Sequence, residues 1–297
     1  MVERIFNTSV DTKFFGLIGN PLGQSAAPFM HNSVYQKLGM DCLYVPLEIS
    51  VEQLEPVIKN LENFHYAGSG VTMPFKTQVH KYLDGLADSA KYTEVVNTIV
   101  FEDGKKIGYN TDGTGFVLSL ERQLFLDIPE HNYLILGSGG AATAIACALA
   151  MKGARDIRSL CIAKDYVCAE ALYSKVSRYF PSVCSIDEMT GKSIEESLKG
   201  YEVVIHATKV GMFPKSEEIL FDPDLLRPEN IVCDVVYVPV MTKLLREAAS
   251  RGCKTLSGLW MNTYQAAEQM RLWTGIEPPI EYMYENSLEY LRLQGKA

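Results

Sequence analysis

A short apolar segment, Tyr133 to Leu136, runs directly into the glycine-rich turn Gly137 to Gly140 and then into an alanine-rich segment, Ala141 to Met151. Four consecutive apolar residues are typical of a buried strand, and alanine is the strongest helix former. The glycines between them permit a turn that other residues do not adopt. This strand–turn–helix unit constrains the fold most, because it is the first half of a right-handed βαβ crossover and therefore indicates a parallel sheet.

Strand and helix patterns alternate along the rest of the chain. Near the N-terminus, Phe14 to Ile18 predicts a strand, Pro28 to Leu38 predicts a helix, and Asp103-Gly104 predicts the turn of a hairpin. Beyond the glycine-rich turn, strands are predicted at Ser159 to Ile162, Tyr201 to His206 and Ile231 to Val236. Helices are predicted at Val167 to Tyr179, at Met261 to Leu272 and from about Glu281.

These elements predict an α/β protein with two domains. A chain of 297 residues is long for one compact domain and sufficient for two. We expect residues 113–258 to form a Rossmann-like, parallel-sheet nucleotide-binding domain. Residues 1–112 and 259–297 are expected to form an α/β substrate-binding domain.

The net charge and the cysteine and histidine patterns disfavour several classes of protein. A net charge of −8 disfavours a nucleic-acid-binding or anionic-membrane-binding surface, although it does not exclude a local basic site. Seven cysteines without a C-x-x-C pair disfavour a disulfide framework, and five histidines without ligand spacing disfavour a metal site. No secretory signal or membrane span is expected. We therefore expect a cytoplasmic protein, a monomer or homodimer, without a metal.

The glycine-rich turn has the spacing of a dinucleotide site. Gly137, Gly139 and Ala142 form a G-x-G-x-x-A pattern between strand and helix. The first glycine allows the tight turn, the second admits a pyrophosphate, and the small third residue lets helix and strand pack closely. The phosphates would lie at the helix N-terminus, where free N–H groups favour negative charge. A glycine-rich turn without a ligand is the alternative.

An acidic residue follows the second predicted strand of this unit. Asp165, in the sequence CIAKDY, stands where a carboxylate can accept hydrogen bonds from the adenosine ribose and repel a 2′-phosphate. Its neighbour Lys164 would offset part of that repulsion. NAD is therefore predicted to be favoured over NADP. A solvated lysine–aspartate pair at a strand end is the alternative interpretation.

Eight segments, in order, carry a resemblance to a known family. Four lie in the first third of the chain: GNPLGQSAAPFMHN (19–32), GSGVTMPFK (68–76), VVNTIV (95–100) and GYNTDGTG (108–115). The others are GSGGAA, HATKVGM (206–212), DVVYVPVMTKLL (234–245) and GLWMNTYQAAEQMRLWTG (258–275). Together they resemble the shikimate dehydrogenase family, and details such as GSGVTMPFK, ATKVGM and MTKLL are closest to its quinate/shikimate dehydrogenase branch.

The resemblance implies hydride transfer from a ring hydroxyl to a nicotinamide, with Lys76 and Asp112 flanking that hydroxyl. An alkoxide-like transition state needs a proton acceptor and a nearby positive charge, and a carboxylate can hold an ammonium in place. Without the resemblance, Lys76 would be interpreted as a surface lysine that opens a helix, and Asp112 as a helix N-cap.

The resemblance also implies the residues that bind the substrate and the cofactor. Ser25 corresponds to a serine that binds the substrate carboxylate, and Tyr237 to a tyrosine near it. Thr72, Asn97 and Gln265 correspond to residues that hydrogen-bond ring hydroxyls. The implied cofactor-binding residues are Gly137, Ser138, Gly139, Gly140, Ala141, Lys164, Asp165, Thr208, Met212 and Gly258.

The chain departs from the family pattern at several positions. A second carboxylate-binding serine is replaced by Ala27, a histidine by Gln24 and an asparagine by Gly70. GAVNT becomes EVVNT, which places Glu94 near the site entrance, and the NRT-like segment that selects a 2′-phosphate becomes AKDY. Two alternatives therefore remain: a dehydrogenase of a related cyclic hydroxy- or amino-acid, and a nucleotide sensor without turnover. A sensor would need neither Lys76 nor Asp112.

Overall fold

The computed structural model describes residues 8–23 and 25–296. Gln24 and residues 1–7, over which no secretory signal was expected, lie outside the described residues. No helix within the described ranges combines the length and apolar character that a membrane-spanning helix needs. In the same ranges, no three His, Cys, Asp or Glu side chains are grouped so that they could hold a metal ion.

The N-terminal part of the chain forms a mixed sheet. Its strands are β1 (Lys13–Gly19), β2 (Cys42–Glu48), β3 (Tyr66–Val71), β4 (Gly85–Leu86), β5 (Thr98–Glu102) and β6 (Lys105–Tyr109). Their order in the sheet is β2-β1-β3-β5-β6-β4. The β1 strand pairs in parallel with both β2 and β3, whereas β5 is antiparallel to β3 and β6. The predicted hairpin at Asp103-Gly104 joins β5 and β6 and is confirmed.

The central part of the chain forms a fully parallel sheet. Its strands are β7 (Tyr133–Leu136), β8 (Ile157–Cys161), β9 (Cys184–Glu188), β10 (Val203–His206), β11 (Ile231–Asp234) and β12 (Lys254–Leu256). Their order is β12-β11-β10-β7-β8-β9. After β7 the chain adds strands on one side of it, and from β10 onward it adds them on the other, so the order of addition reverses between β7 and β10. Ligands bind such sheets at the carboxyl ends of the strands, beside this reversal. The prediction of two α/β units, one of them Rossmann-like, is confirmed.

Helices cover both sheets. They are α1 (Ala27–Lys37), α2 (Leu54–Asn60), α3 (Asp88–Lys91), α4 (Thr111–Gln123), α5 (Gly140–Met151), α6 (Tyr166–Tyr179), α7 (Gly191–Gly200), α8 (Lys243–Ser250), α9 (Gly258–Thr274) and α10 (Ile280–Leu293). The predicted helices and strands are confirmed within three residues at each end. One alternative was wrong: Asp112 is not an N-cap, because Asn110 caps α4 by accepting a hydrogen bond from the Gly113 amide.

Two apolar clusters bury the faces of the parallel sheet. Residues of β7 alternate between them: Tyr133 and Ile135 pack with α4 and α5, and Leu134 and Leu136 pack on the side of α8. Every residue of β7 is buried, as expected for a strand covered on both faces. Burial of each large apolar side chain contributes about 1.5–3 kcal/mol, so these clusters hold the carboxyl ends of the strands firmly in place.

The α4 and α9 helices lie between the two sheets and pack tightly against each other. Gly115 makes this approach possible, because a Cβ atom there would lie 2.5 Å from the backbone nitrogen of Gln265 on α9. The close packing brings the first turn of α4, which carries Asp112, next to Gln265. A side chain at position 115 would separate these two residues.

Candidate active site

A cavity of about 220 Å³ lies in the cleft between the two sheets. All seven residues predicted to be catalytic or substrate-binding line it: Ser25, Thr72, Lys76, Asn97, Asp112, Tyr237 and Gln265. Ala141 and Gly258, both expected near the cofactor, line it as well. These nine residues come from seven separate stretches of chain, so only folding brings them together.

Lys76 and Asp112 form an ion pair in the wall of the cavity. The Lys76 Nζ atom lies 2.6 Å from Asp112 Oδ2, and the two side chains are 24% and 9% exposed. Lys76 belongs to a 3₁₀ turn, Phe75–Thr77, that follows β3. Asp112 lies in the first turn of α4, where the free N–H groups of the helix stabilise negative charge. The pair therefore places a proton donor and its carboxylate partner against the space available to a ligand.

The Asn97 side chain orients the Asp112 carboxylate. The Thr111 backbone N–H donates to Asn97 Oδ1 at 2.7 Å, so the amide nitrogen must point the other way. That nitrogen donates to Asp112 Oδ1 at 2.9 Å and to Thr111 Oγ1 at 2.9 Å. Both carboxylate oxygens are thereby engaged, one by Lys76 and one by Asn97. Asn97 lines the cavity but also acts on Asp112, a contact that the sequence did not reveal.

The α9 helix contributes three amide side chains to the cavity. Gln265 was predicted, and its Oε1 atom lies 3.4 Å from Asn97 Nδ2. Asn262 and Gln269, which line the same cavity, were missed. The Gln269 side-chain amide donates to the backbone carbonyl of Asn97 at 3.1 Å and to Thr98 Oγ1 at 3.0 Å. Their spacing of three and four residues from Gln265 was an available signal, because such residues share a helix face.

Hydroxyl groups also line the cavity. The Ala27 amide donates to Ser25 Oγ at 3.2 Å, which leaves the Ser25 hydroxyl hydrogen available to a ligand. Burial raises the pKa of Tyr237, so its phenol stays protonated. Tyr44, which was missed, also lines the cavity, and its buried hydroxyl has no partner among the described residues. Behind it, His31 stacks on the Tyr44 ring at 4.3 Å.

The glycine-rich turn has the backbone geometry of an anion site. Gly137 has φ = 128°, which favours glycine, and its amide donates to the Leu160 carbonyl at 2.8 Å. Gly139 is the N-cap of α5, and apart from its chain neighbours no described residue has a heavy atom within 4 Å of the position where its Cβ would stand. Ala142 is fully buried against the sheet, as the small third residue of the motif requires. The turn is therefore open on the side where α5 presents free N–H groups.

The other predicted cofactor residues surround the carboxyl ends of β8 and β10. Lys164 and Asp165 lie exposed in the 3₁₀ turn Ala163–Asp165, directly after β8. Thr208 follows β10, and its hydroxyl lies 2.5 Å from His206 Nε2. Met212 is 41% exposed on the same loop. Their roles in cofactor binding stay predictions.

A buried network that the sequence did not reveal holds the loops after β10 and β11. The His206 Nδ1 atom lies 2.8 Å from Asp234 Oδ1, and Thr242 donates to Asp234 Oδ2 at 2.7 Å. Asp234 Oδ1 also accepts from the Val236 amide at 2.9 Å. The network fixes the backbone beside Thr208 and beside Tyr237, so it positions the side of the cleft that the parallel sheet forms.

Two family models match the chain. Residues 17–99 match the shikimate dehydrogenase substrate binding domain, and residues 258–285 match the shikimate 5′-dehydrogenase C-terminal domain. The first match contains Ser25, Thr72, Lys76 and Asn97, and the second contains Gln265. Both matched regions thus supply walls of the cavity.

Similar proteins extend the likeness over nearly the whole chain. A shikimate dehydrogenase (NADP(+)) of Pyrococcus abyssi is 41% identical over 280 residues, covering 94% of this chain and 98% of that protein. The structure of shikimate 5-dehydrogenase from Listeria monocytogenes in complex with shikimate and NAD has a TM-score of 0.88 at 36% identity, covering 94% and 97% of the two chains. Quinate dehydrogenase from Corynebacterium glutamicum in complex with NAD has a TM-score of 0.85 at 29% identity, covering 94% and 99%.

Proposed function

The chain belongs to the shikimate dehydrogenase family, and from this premise we propose that it interconverts shikimate and 3-dehydroshikimate, or quinate and 3-dehydroquinate, with a nicotinamide dinucleotide. The observation that carries the proposal is the convergence of all seven predicted residues on one cavity, with Lys76 and Asp112 joined there as an ion pair. The open turn at Gly139 beside the N-terminus of α5 fits the phosphates of the dinucleotide.

The proposed chemistry assigns the proton to Lys76. When bound, the nicotinamide supplies or accepts the hydride at the ring carbon. In the reducing direction, the Lys76 ammonium donates a proton to the carbonyl oxygen, which becomes the ring hydroxyl. In the oxidising direction, the same nitrogen takes that proton back. Asp112 holds the ammonium at 2.6 Å, and Asn97 holds Asp112.

The polar side chains of the cavity suit a polyol. Each ring hydroxyl needs a positioned partner, and an unmatched buried polar group costs about 1–3 kcal/mol. Thr72 and the amide side chains of α9 supply such partners, and Ser25 and Tyr237 supply hydroxyl donors. We assign the ring hydroxyls to the first group and the carboxylate to the second.

Absorbance at the reduced-nicotinamide band tests the activity directly. The purified protein is mixed with each dinucleotide and with shikimate, quinate or an aminated analogue of the ring. Turnover of shikimate or quinate is expected, and the ratio of kcat/KM values identifies the preferred acid. Turnover of the aminated analogue alone would replace the proposed substrate, and absence of turnover with every ring acid would favour a nucleotide sensor.

Ala27 motivates a prediction about the substrate carboxylate. Ala27 lines the cavity two residues from Ser25, where the family pattern has a second serine. Replacing Ala27 with serine is expected to lower KM for shikimate, because a restored charge-assisted hydrogen bond contributes roughly 1–2 kcal/mol less the cost of desolvation. Ser25→Ala should raise the same KM. An unchanged or higher KM for Ala27→Ser would mean that the pocket binds the carboxylate differently or binds another acid.

Asp165 motivates a prediction about the cofactor. We propose that NAD is favoured over NADP, although the Pyrococcus abyssi relative is named for NADP(+). The exposed Asp165 carboxylate repels a 2′-phosphate, and no arginine stands between β8 and α6 to grip one. Lys164 reduces the preference without reversing it. The ratio of kcat/KM for the two cofactors is measured at fixed ionic strength, since salt screens this interaction.

Asp165→Ser should shift the cofactor ratio toward NADP. Glu170→Gln removes one negative charge from an exposed position further along α6 and is the matched control. The control should leave the ratio unchanged, because the charge lies farther along the helix. A wild-type preference for NADP, or a ratio that Asp165→Ser does not move, would place Asp165 away from the ribose.

We expect the partners to be limited to the ring acid and the dinucleotide. A cytoplasmic location and a monomeric or homodimeric state stay predictions of the sequence. The domain limits, 1–112 with 259–297 and 113–258, also stay predictions, since α4 and α9 pack between the two sheets and contact both parts of the chain.

A further inference from the structure

Glu94 adopts a backbone conformation that favours glycine. Its φ angle is 58°, in the left-handed region, and it lies between α3 and β5. The family pattern has glycine at this position, whereas this chain carries a long acidic side chain there. A non-glycine residue is held in this region only when its surroundings over-determine it. The contacts of the Glu94 side chain therefore need an explanation.

The Glu94 side chain joins the two halves of the cleft. Its Oε2 atom accepts a hydrogen bond from Lys175 Nζ, which belongs to α6, a helix that packs against the parallel sheet. This contact holds the pKa of Glu94 below its ordinary value, so the carboxylate stays charged at neutral pH. The two side chains are 44% and 40% exposed, which leaves the pair open to screening by salt.

Aromatic contacts support the ion pair. The Tyr92 ring, two residues before Glu94, lies 4.6 Å from the Tyr179 ring and 5.4 Å from the Phe180 ring. Tyr179 and Phe180 end α6, one helical turn beyond Lys175. These five residues, Tyr92, Glu94, Lys175, Tyr179 and Phe180, are called the interdomain clamp below.

The segment after Glu94 reaches both the dinucleotide turn and the ion pair in the cavity. The Val95 side chain lies 3.6 Å from the position where a Gly140 Cβ would stand. The Val95 carbonyl accepts from Asn110, the cap of α4, at 2.9 Å. The next amide, of Val96, donates to the Lys76 carbonyl at 2.8 Å. The interdomain clamp therefore holds this segment against the N-terminus of α5.

We propose that Glu94 is a positioning residue which, through Lys175, keeps the cleft closed over the dinucleotide turn and slows release of the nucleotide. The inference rests on the proposed function, because it assumes that the turn at 137–140 binds a dinucleotide. Opening the cleft separates Glu94 from Lys175, so the free energy of the ion pair adds to the barrier for release. The chain retains a strained, charged residue where glycine would relax the backbone.

Dissociation of NADH and NADPH, followed by stopped-flow fluorescence without a ring acid, tests the clamp. Glu94→Gln and Lys175→Met should each raise the dissociation rate constant about two- to fivefold, the range expected for an exposed ion pair. The double variant should be no faster than either single variant, since one interaction is lost in each. Exchanging the charges, Glu94→Lys with Lys175→Glu, should restore part of the slow release.

Two further variants separate positioning from stability. Glu94→Gly relaxes the backbone, so its Tm should not fall, yet its nucleotide should leave as fast as from Glu94→Gln. Glu195→Gln breaks a comparable exposed pair with Lys199, at 2.9 Å within α7, and should leave release unchanged. Raised salt should accelerate release more in the wild type than in Glu94→Gln.

Two results would overturn the clamp. Dissociation rate constants that match the wild type in Glu94→Gln and Lys175→Met would show that the pair does not limit opening. Fully multiplicative effects in the double variant would show that the two residues act separately. Absence of any fluorescence change with wild-type protein and either nucleotide would instead contradict nucleotide binding, and with it both proposals.

Discussion

Replacing Lys76 with alanine is expected to lower kcat on the order of 10²-fold or more, which corresponds to about 2.7 kcal/mol or more of lost transition-state stabilisation. The ammonium at this position is the group proposed to exchange a proton with the ring hydroxyl, and no other lysine or arginine lines the cavity among the described residues. Steady-state kinetics with the preferred acid measures the loss. KM for the dinucleotide should change little.

Folding should survive this change, because the Lys76 side chain is 24% exposed and Asp112 keeps its hydrogen bond from Asn97. Lys81→Ala, in the adjoining 3₁₀ turn and exposed, is the matched control and should retain wild-type turnover. Thermal unfolding and nucleotide binding of both variants establish that the fold is intact. A Lys76→Ala variant with near wild-type kcat would remove Lys76 from the reaction.

Asp112→Asn is expected to lower kcat strongly, because the new side chain cannot accept hydrogen bonds from both Lys76 and Asn97. Both Lys76 and the Asn97 amide nitrogen donate to Asp112, and Asn97 cannot turn over because Thr111 donates to its oxygen. An asparagine side chain offers one acceptor and one donor group, so one of the two contacts becomes donor against donor. The ammonium then loses its anchor and its electrostatic partner. Steady-state kcat measures the effect.

A double variant shows whether Lys76 and Asp112 act together. Since the aspartate acts through the lysine, Lys76→Ala with Asp112→Asn should be little slower than either single variant. Losses that multiply fully would mean that each residue has an independent role. Glu121→Gln removes a carboxylate elsewhere on α4 that pairs with Lys152, and it controls for the lost charge. This variant should leave kcat unchanged.

Much of the fold was predictable because it depends on local pattern. The β7 strand is entirely apolar, and β10 and β11 are apolar up to their last residues, His206 and Asp234; parallel strands covered on both faces have such a composition. The elements that were missed lack such a signal. The β9 strand is an edge strand whose sequence, CSIDE, is mostly polar, and only its pairing with β8 makes it a strand. The α4 helix contains two glycines, which weaken helix propensity, yet it forms because α5 and α9 pack against it.

The residues of the cavity also divide into those that local motifs predict and those that only tertiary contacts reveal. Motifs placed seven of its residues correctly in the cleft, because each motif carries a residue type that its chemistry requires. Tyr44 was missed since it lies in an ordinary alternating strand, where a tyrosine is unremarkable without knowledge of what its hydroxyl faces. Gln269 was missed because only its contact with the Asn97 carbonyl distinguishes it from other polar residues of a helix.

The sequence by itself determined the class of fold, the glycine-rich turn and the residue types proposed for the reaction, because strand composition, glycine spacing and side-chain chemistry are properties of short segments. Tertiary structure alone decided which groups meet: that Asn97 orients Asp112, that Gly115 lets α4 reach Gln265, and that Glu94 contacts Lys175 across the cleft. These contacts join residues between 15 and 150 positions apart in the chain. Their geometry depends on how helices pack between two sheets, and no local pattern records it.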